Sequence, residues 1–195
     1  MPVIRAFIAI ELPPNIQQRL EQVSQQLQQT LAGFPIRWVP ASNMHLTLKF
    51  LGDVSEANLK LLKEMLLSEA ASHCQHELSI GGFGAYPSMQ RPRVLWVGVE
   101  APQELAALQA GIESRTVKLG YPREDRPFSP HLTLGRISRS ATNQEVRKIG
   151  EHLPRVKIGF MGVVPVREIR LYQSVLKPGG AEYTPLFTAS LAIKP

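Results

Sequence analysis

The sequence is poor in cysteine: Cys74 is the only one in 195 residues. No disulfide can form within the chain, and a reducing, cytoplasmic setting is the expectation. It has no apolar run of the length that crosses a bilayer. The opening MPVIRAFIAIELPP is apolar only in patches, because Arg5 and Glu11 interrupt it and no small-residue cleavage site follows. It reads as a first strand rather than a secretory leader. Long runs of Lys or Arg are missing too, so there is no basic tail or targeting patch. Charged residues make up only 19% against 44% hydrophobic, a balance that excludes a disordered chain. A chain of this length buries a core without help from disulfides or a structural metal.

The charges that are present lean basic, with a formal net charge of +6 and a pI near 9.7. That favours polyanionic partners: RNA, DNA or phosphorylated metabolites.

Hydrophobic periodicity divides the chain into short strands and helices. VIRAFIAIEL is a buried strand by its β-branched, apolar content. Pro13-Pro14 ends it and suits a helix start. A Gln-rich helix from about Asn15 to Leu31 carries Ile16, Leu20, Val23, Leu27 and Leu31 on one face. The strands IRWV and HLTLKFLG follow. A helix from Ser55, its candidate N-cap, runs to about Ala71. A strand near Glu77–Ile80 leads into a glycine-rich bend, GGFGAYP, and then the strand RVLWVGVE. A helix from Pro102 to Leu119, the strand HLTLGRI and a helix over Thr142–His152 come next. Three strands close the chain, in VKIGFMGVV, EIRLYQSVL and near Tyr183–Ile193. The order is β-α-β-β-α-β-β-α-β-α-β-β-β. Short turns between neighbouring strands predict an α+β fold with mainly antiparallel sheets and helices packed outside. No linker is visible, so the expectation is a single domain over residues 1–195, made of two closely packed halves.

The feature that carries chemistry is a repeated word, HLTL. Histidine is scarce, with five in the chain, yet His45 and His131 each open this word. Side chains alternate along a strand. His45, Thr47 and Lys49 therefore share one face, with Leu46, Leu48 and Phe50 on the other. His131 and Thr133 share a face opposite Leu132 and Leu134. Two histidines on one cleft suit acid–base work, the neutral ring accepting a proton from water and the cationic ring protonating a departing oxygen. Threonine hydroxyls can hold non-bridging phosphoryl oxygens. Such a site cleaves a phosphodiester without a metal or cofactor if the ester is strained, as in a 2′,3′-cyclic phosphate. No carboxylate or further His sits at ligand spacing near either copy, so a metal site is not expected there. His73, Cys74 and His76 form a local cluster whose reading is a solvated helix end rather than a metal site.

With these flanks the sequence resembles the two-histidine (2H) phosphoesterase superfamily, and within it the RNA 2′,3′-cyclic phosphodiesterases, also called 2′–5′ RNA ligases. The matching segments are RAFIAIELP, NMHLTLKFLG, RPRVLWVGV, FSPHLTLGR and LYQSVLKPGGAEYTPL, in the family's order. The resemblance implies a bilobal α+β fold of two interleaved lobes, with a pseudo-two-fold axis and a central cleft. It implies hydrolysis of RNA 2′,3′-cyclic phosphate ends to 2′-phosphomonoesters, with His45 as proton donor, His131 as proton acceptor, and Thr47 and Thr133 on the phosphate. Reversible, ATP-independent 2′–5′ ligation is implied as well. The expected partners are RNA ends or nucleotides with a cyclic phosphate. No obligate protein partner is expected, and the chain reads as a monomer. A phosphodiesterase for small cyclic nucleotides or 2′–5′ oligonucleotides is the alternative enzyme. A non-catalytic RNA-binding module is the alternative from another class, against which two intact titratable imidazoles argue.

Further candidates surround this quartet. Arg136 follows the second motif; strict alternation puts it on the leucine face, but Gly135 permits a bulge that turns it to the cleft. It is either a phosphate contact or a surface salt bridge. Arg5 and Lys49 are candidates of the same kind. Phe7, Phe50, Trp38 and Tyr172 are candidates to stack on a base, with core packing as the other role for each. The basic loop Arg123–Arg126 either guides an RNA backbone or is simply solvated.

Overall fold

The computed structural model describes residues 3–178 and 180–193. The extreme ends of the expected 1–195 domain, and Gly179 of the C-terminal matching segment, lie outside the described residues. The element order runs as the periodicity predicts: β1 (Val3–Glu11), α1 (Pro14–Thr30), β2 (Ile36–Trp38), β3 (His45–Ser55), α2 (Glu56–Ala71), β4 (His76–Tyr86), β5 (Val94–Val99), α3 (Gln103–Lys118), β6 (His131–Ile137), α4 (Asn143–His152), β7 (Phe160–Val166), β8 (Glu168–Lys177) and β9 (Gly180–Ser190). Helix starts follow local chemistry. Pro14 opens α1 at a position where its missing N–H is not needed. The Ser55 hydroxyl accepts from the Asn58 amide at the start of α2. Thr142 and Glu145 form a reciprocal capping box on α4.

Two sheets result, in the orders β3-β1-β8-β9 and β2-β6-β5-β4-β7, and every ladder between these strands is antiparallel. The predicted α+β class holds. The two orders mirror one another. A motif strand (β3 or β6) lies beside β1 or β5, then β8 or β4, then β9 or β7. The chain repeats as β1–α1…β3–α2 and β5–α3–β6–α4. β2, from the first half of the chain, pairs with β6 of the second.

Helices α2 and α3 cover the leucine side of the first sheet, and α1 lies against β7 of the second. Leu46, Leu48, Leu132 and Leu134 are all at most 3% exposed. Burying each contributes about 1.5–3 kcal/mol, which fixes which face of each motif strand turns inward. Two expectations shift. GGFG does not end a strand; β4 continues through it, with Gly82 (φ +77°) taking up a register shift between Ile80 and Phe83. The strand expected from Val156 begins only at Phe160, after a 3-10 turn over Leu153–Arg155.

Candidate active site

The two motif strands lie close to each other across the junction of the sheets. Both carry the same irregularity. On β3, Thr47 pairs with Ala9 and Lys49 with Ile8, so Leu48 is an extra residue. On β6, Thr133 pairs with Trp96 and Gly135 with Leu95, so Leu134 is extra. A bulge of this kind reverses the alternation beyond it.

The reversal corrects two of the expected side-chain placements. Lys49 does not share the face of His45; it points into the core, 2% exposed. Its Nζ donates to Glu113 Oε1 at 2.8 Å and to the Pro122 carbonyl at 2.6 Å. Phe50, expected beside the leucines, instead faces outward at 54% exposure, next to Phe7. On β6 the same step brings Arg136 out to the His131 side, as the Gly135 bulge allows. A Cβ on Gly135 would lie 3.0 Å from Ile36 Cγ2 and from Trp38 Cε3, so glycine suits the close approach of β2. Trp38 therefore packs against the hydrophobic core.

His45 and His131 are held alike. His45 Nδ1 lies 2.9 Å from the Asn43 carbonyl, and His131 Nδ1 lies 2.7 Å from the Ser129 carbonyl. A carbonyl can only accept, so Nδ1 carries the hydrogen in each ring and Nε2 is left for chemistry. His76 makes the same contact with Cys74 O at 3.1 Å; the carbonyl contact orients a ring but does not by itself mark a catalytic one.

Around His45 the walls are aromatic. Phe7 stacks on it with centroids 4.5 Å apart, and Tyr183 meets it edge-on at 5.1 Å. Phe7 is 2% exposed, with Tyr172 stacked 5.3 Å away, so these neighbours occupy the ring that was a candidate for a base. Burial among these rings pushes the His45 pKa down to about 4, against the opposing pull of the Asn43 carbonyl. Burial likewise raises the Tyr172 phenol, with Arg170 opposing. His131 lies among Tyr86, edge-on at 5.1 Å, and Trp96 at 6.3 Å. The Tyr86 hydroxyl is 2.6 Å from Ser129 Oγ. Thr47 and Thr133 are half-buried on the faces of their histidines.

Glu11, opposite His45 on β1, is ion-paired to Arg170, which also binds Glu168 at 2.6 Å. Arg5 is exposed on β1, two residues before Phe7 on the same face. The Arg123–Arg126 loop is exposed, and the Glu124 amide donates to Glu113 Oε1 at 2.9 Å. Among the described residues no three His, Cys, Asp or Glu side chains converge as a metal site. In the His73–His76 segment, His73 Nε2 instead meets Glu69 at 2.9 Å.

Tyr86 and Trp96 beside His131, Tyr183 beside His45 and Arg37 opposite Arg136 were not singled out from the sequence. Trp96 lies on a strand that alternation reads correctly, but its place beside Thr133 is a matter of register between strands.

A family model described as LigT-like phosphoesterase matches residues 10–96 and again residues 97–183. A Methanothermobacter thermautotrophicus protein named RNA 2′,3′-cyclic phosphodiesterase is 32% identical, over 93% of this chain and 95% of its own. One of the same name from Archaeoglobus fulgidus is 35% identical, over 94% and 98%. Among solved structures, Escherichia coli LigT complexed with 3′-AMP superposes with a TM-score of 0.75 at 29% identity, covering 97% of this chain and 99% of that one. TT0787 of Thermus thermophilus gives 0.75 at 30% identity, covering 98% and 100%.

Proposed function

The chain belongs to the LigT-like phosphoesterase family, and from that premise we propose that it hydrolyses RNA 2′,3′-cyclic phosphate ends to 2′-phosphomonoesters. The observation that carries this reading is the pair of bulged His-x-Thr strands, whose two Nε2 atoms are freed in the same way. The names of the relatives support the substrate.

In this mechanism Thr47 and Thr133 hold the non-bridging oxygens of the phosphate. His131 Nε2 takes a proton from water, and the water oxygen bonds to phosphorus. The bond from phosphorus to the 3′ oxygen breaks, and His45 Nε2–H protonates that oxygen. The products are a 2′-phosphate and a 3′-hydroxyl; the proton on His131 leaves to solvent and His45 takes up another. No cofactor or metal enters these steps. With a ribose 5′-hydroxyl in place of water as the nucleophile and the 3′ oxygen leaving as before, the same groups join RNA ends through a 2′–5′ linkage without ATP.

The donor role requires His45 to be cationic, whereas burial keeps it neutral in the free protein. The anionic phosphate supplies what is missing. At about 4 Å and an effective dielectric near 20, one negative charge favours the imidazolium by about 4 kcal/mol, or about 3 pKa units. The His45 proton therefore arrives with the substrate. The same low pKa favours one other reading, in which His45 is the acceptor and His131 the donor.

The reading extends to a single domain of two interleaved lobes acting as a monomer in a reducing cytoplasm, consistent with the lone Cys74. No helix among the described residues is long and apolar enough to cross a membrane. The test is to incubate the protein with an oligoribonucleotide ending in a 2′,3′-cyclic phosphate, with EDTA present, and to identify the product isomer. A 2′-phosphate is expected. No turnover refutes the proposal, and a 3′-phosphate refutes the leaving group.

A further inference from the structure

The far end of β6 from His131 is ringed by arginines that the mechanism does not use. Arg136 lies directly opposite Arg37 on β2. Like charges facing each other across strands are destabilising by themselves. Among the described residues Arg37, Arg91, Arg93 and Arg136 make no ion pair. Arg93 precedes Val94, the other strand partner of Arg136, and donates from Nη1 to the Ser138 carbonyl at 3.3 Å, just past the end of β6. Beyond it lies a hollow of about 840 Å³ lined by Arg91, Arg93 and Arg147 with Gln90, Asn143 and Gln144. None of the described residues lining it is acidic; Arg147 has Glu151 3.6 Å away on the exposed side of α4. His131 opens β6 and Arg136 comes five residues later, a distance of about 16.5 Å at about 3.3 Å per residue.

We propose that these side chains form a track for single-stranded RNA. The strand's cyclic-phosphate end sits at His131 and Thr133, and its upstream phosphates run past Arg136 and Arg37 to the hollow at Arg91, Arg93 and Arg147. The inference rests on the proposed function and narrows its substrate class to an RNA strand over a free nucleotide. The chemistry is that of a polyanion. The guanidiniums are spaced over several phosphates, they offer forked donors to phosphate oxygens, and strand pairing links Arg37 and Arg136 to the strand that His131 and Thr133 occupy. Amides at Gln90, Asn143 and Gln144 add donors that do not depend on base identity. Such binding ignores sequence and weakens with salt.

The experiment compares kcat/KM for a fluorescent cyclic-phosphate oligoribonucleotide and for a nucleoside 2′,3′-cyclic phosphate, in the wild type and in the double variant Arg91→Ala/Arg147→Ala, across a salt series. The oligonucleotide is expected to be the better substrate by at least about tenfold at low salt. The variant should lose most of that advantage and leave the nucleotide unaffected. Its salt slope should be shallower by about 1.4, from about 0.7 per phosphate contact on a single strand. Equal kcat/KM for the two substrates with parallel salt dependence, or equal loss on both in the variant, overturns the track while leaving the proposed function standing. Turnover of neither substrate removes the proposed function instead. The anisotropy of the same oligonucleotide then decides the track, which fails if the variant binds it as tightly as the wild type.

Discussion

His45 is the titrating group whose behaviour the structure commits to most sharply. Its ring is stacked on Phe7 and capped edge-on by Tyr183, and burial takes its pKa from 6.5 to about 4 in the free protein. The folded value lies below the unfolded one, so the unfolded chain binds the extra proton first. Stability from this group is therefore present above pH 6.5 and is lost as pH falls from 6.5 toward 4. A shift of about 2.5 units at about 1.4 kcal/mol each sets an upper bound of about 3.5 kcal/mol; partial solvent contact reduces it to about 2. Urea unfolding at pH 7 and pH 4.5 should show this loss in the wild type and a smaller one in His45→Asn. NMR of the His45 ring should find its midpoint well below 6.5 in the free protein and raised by two units or more when a 2′-nucleotide binds. The kinetics carry the same signature. If His45 is the donor, the alkaline limb of kcat/KM falls below pH 6.5 and that of kcat lies above it. If His45 is the acceptor, its ionisation near 4 appears as an acid limb of kcat/KM instead. A ligand-free midpoint at or above 6.5 would refute the reasoning from aromatic burial.

Other outcomes follow from the same geometry. His45→Ala and His131→Ala should each lower kcat by about 10²–10⁴-fold on the cyclic phosphate, far more than Arg136→Ala. A p-nitrophenyl phosphodiester, whose leaving group needs no proton, should restore most of the loss in the donor variant only, and rescue of His131→Ala would reverse the two roles. Lys49→Met should destabilise the fold by about 3–5 kcal/mol, because it strands Glu113 with its other oxygen already unpartnered; a loss under 1 kcal/mol in chemical denaturation would show the pair to be dispensable. Gly135→Val should lower Tm, as the added atoms meet Ile36 and Trp38; an unchanged Tm would mean that β2 yields freely.

The helices and the inward leucines were legible because each is a local matter. Apolar spacing, Pro14, Ser55 and the Thr142–Glu145 pair specify their elements within a few residues. The pairing of His45 with Thr47, and of His131 with Thr133, needed only alternation. Lys49 and Phe50 were placed on the wrong faces because the bulge at Leu48 arises from how β3 fits β1, which no window along β3 contains. At Gly135 the missing side chain did signal the matching bulge. The aromatic enclosure of His45 joins residues 7, 45, 172 and 183 across β1, β3, β8 and β9. Its effect on the His45 pKa was invisible until those strands were set in order. The β4 glycines look like a chain break because a bulge and a bend call for the same residue.

The central claim is that the two His-x-Thr strands make one site. It is tested most directly by measuring kcat on a cyclic-phosphate oligoribonucleotide for His45→Ala, His131→Ala and the double variant. Groups that act together in one site lose most of their effect with the first removal, so the double variant should be about as impaired as the worse single one. Two singles that each retain about half the activity, with only the double variant dead, would mean two independent sites and would contradict it.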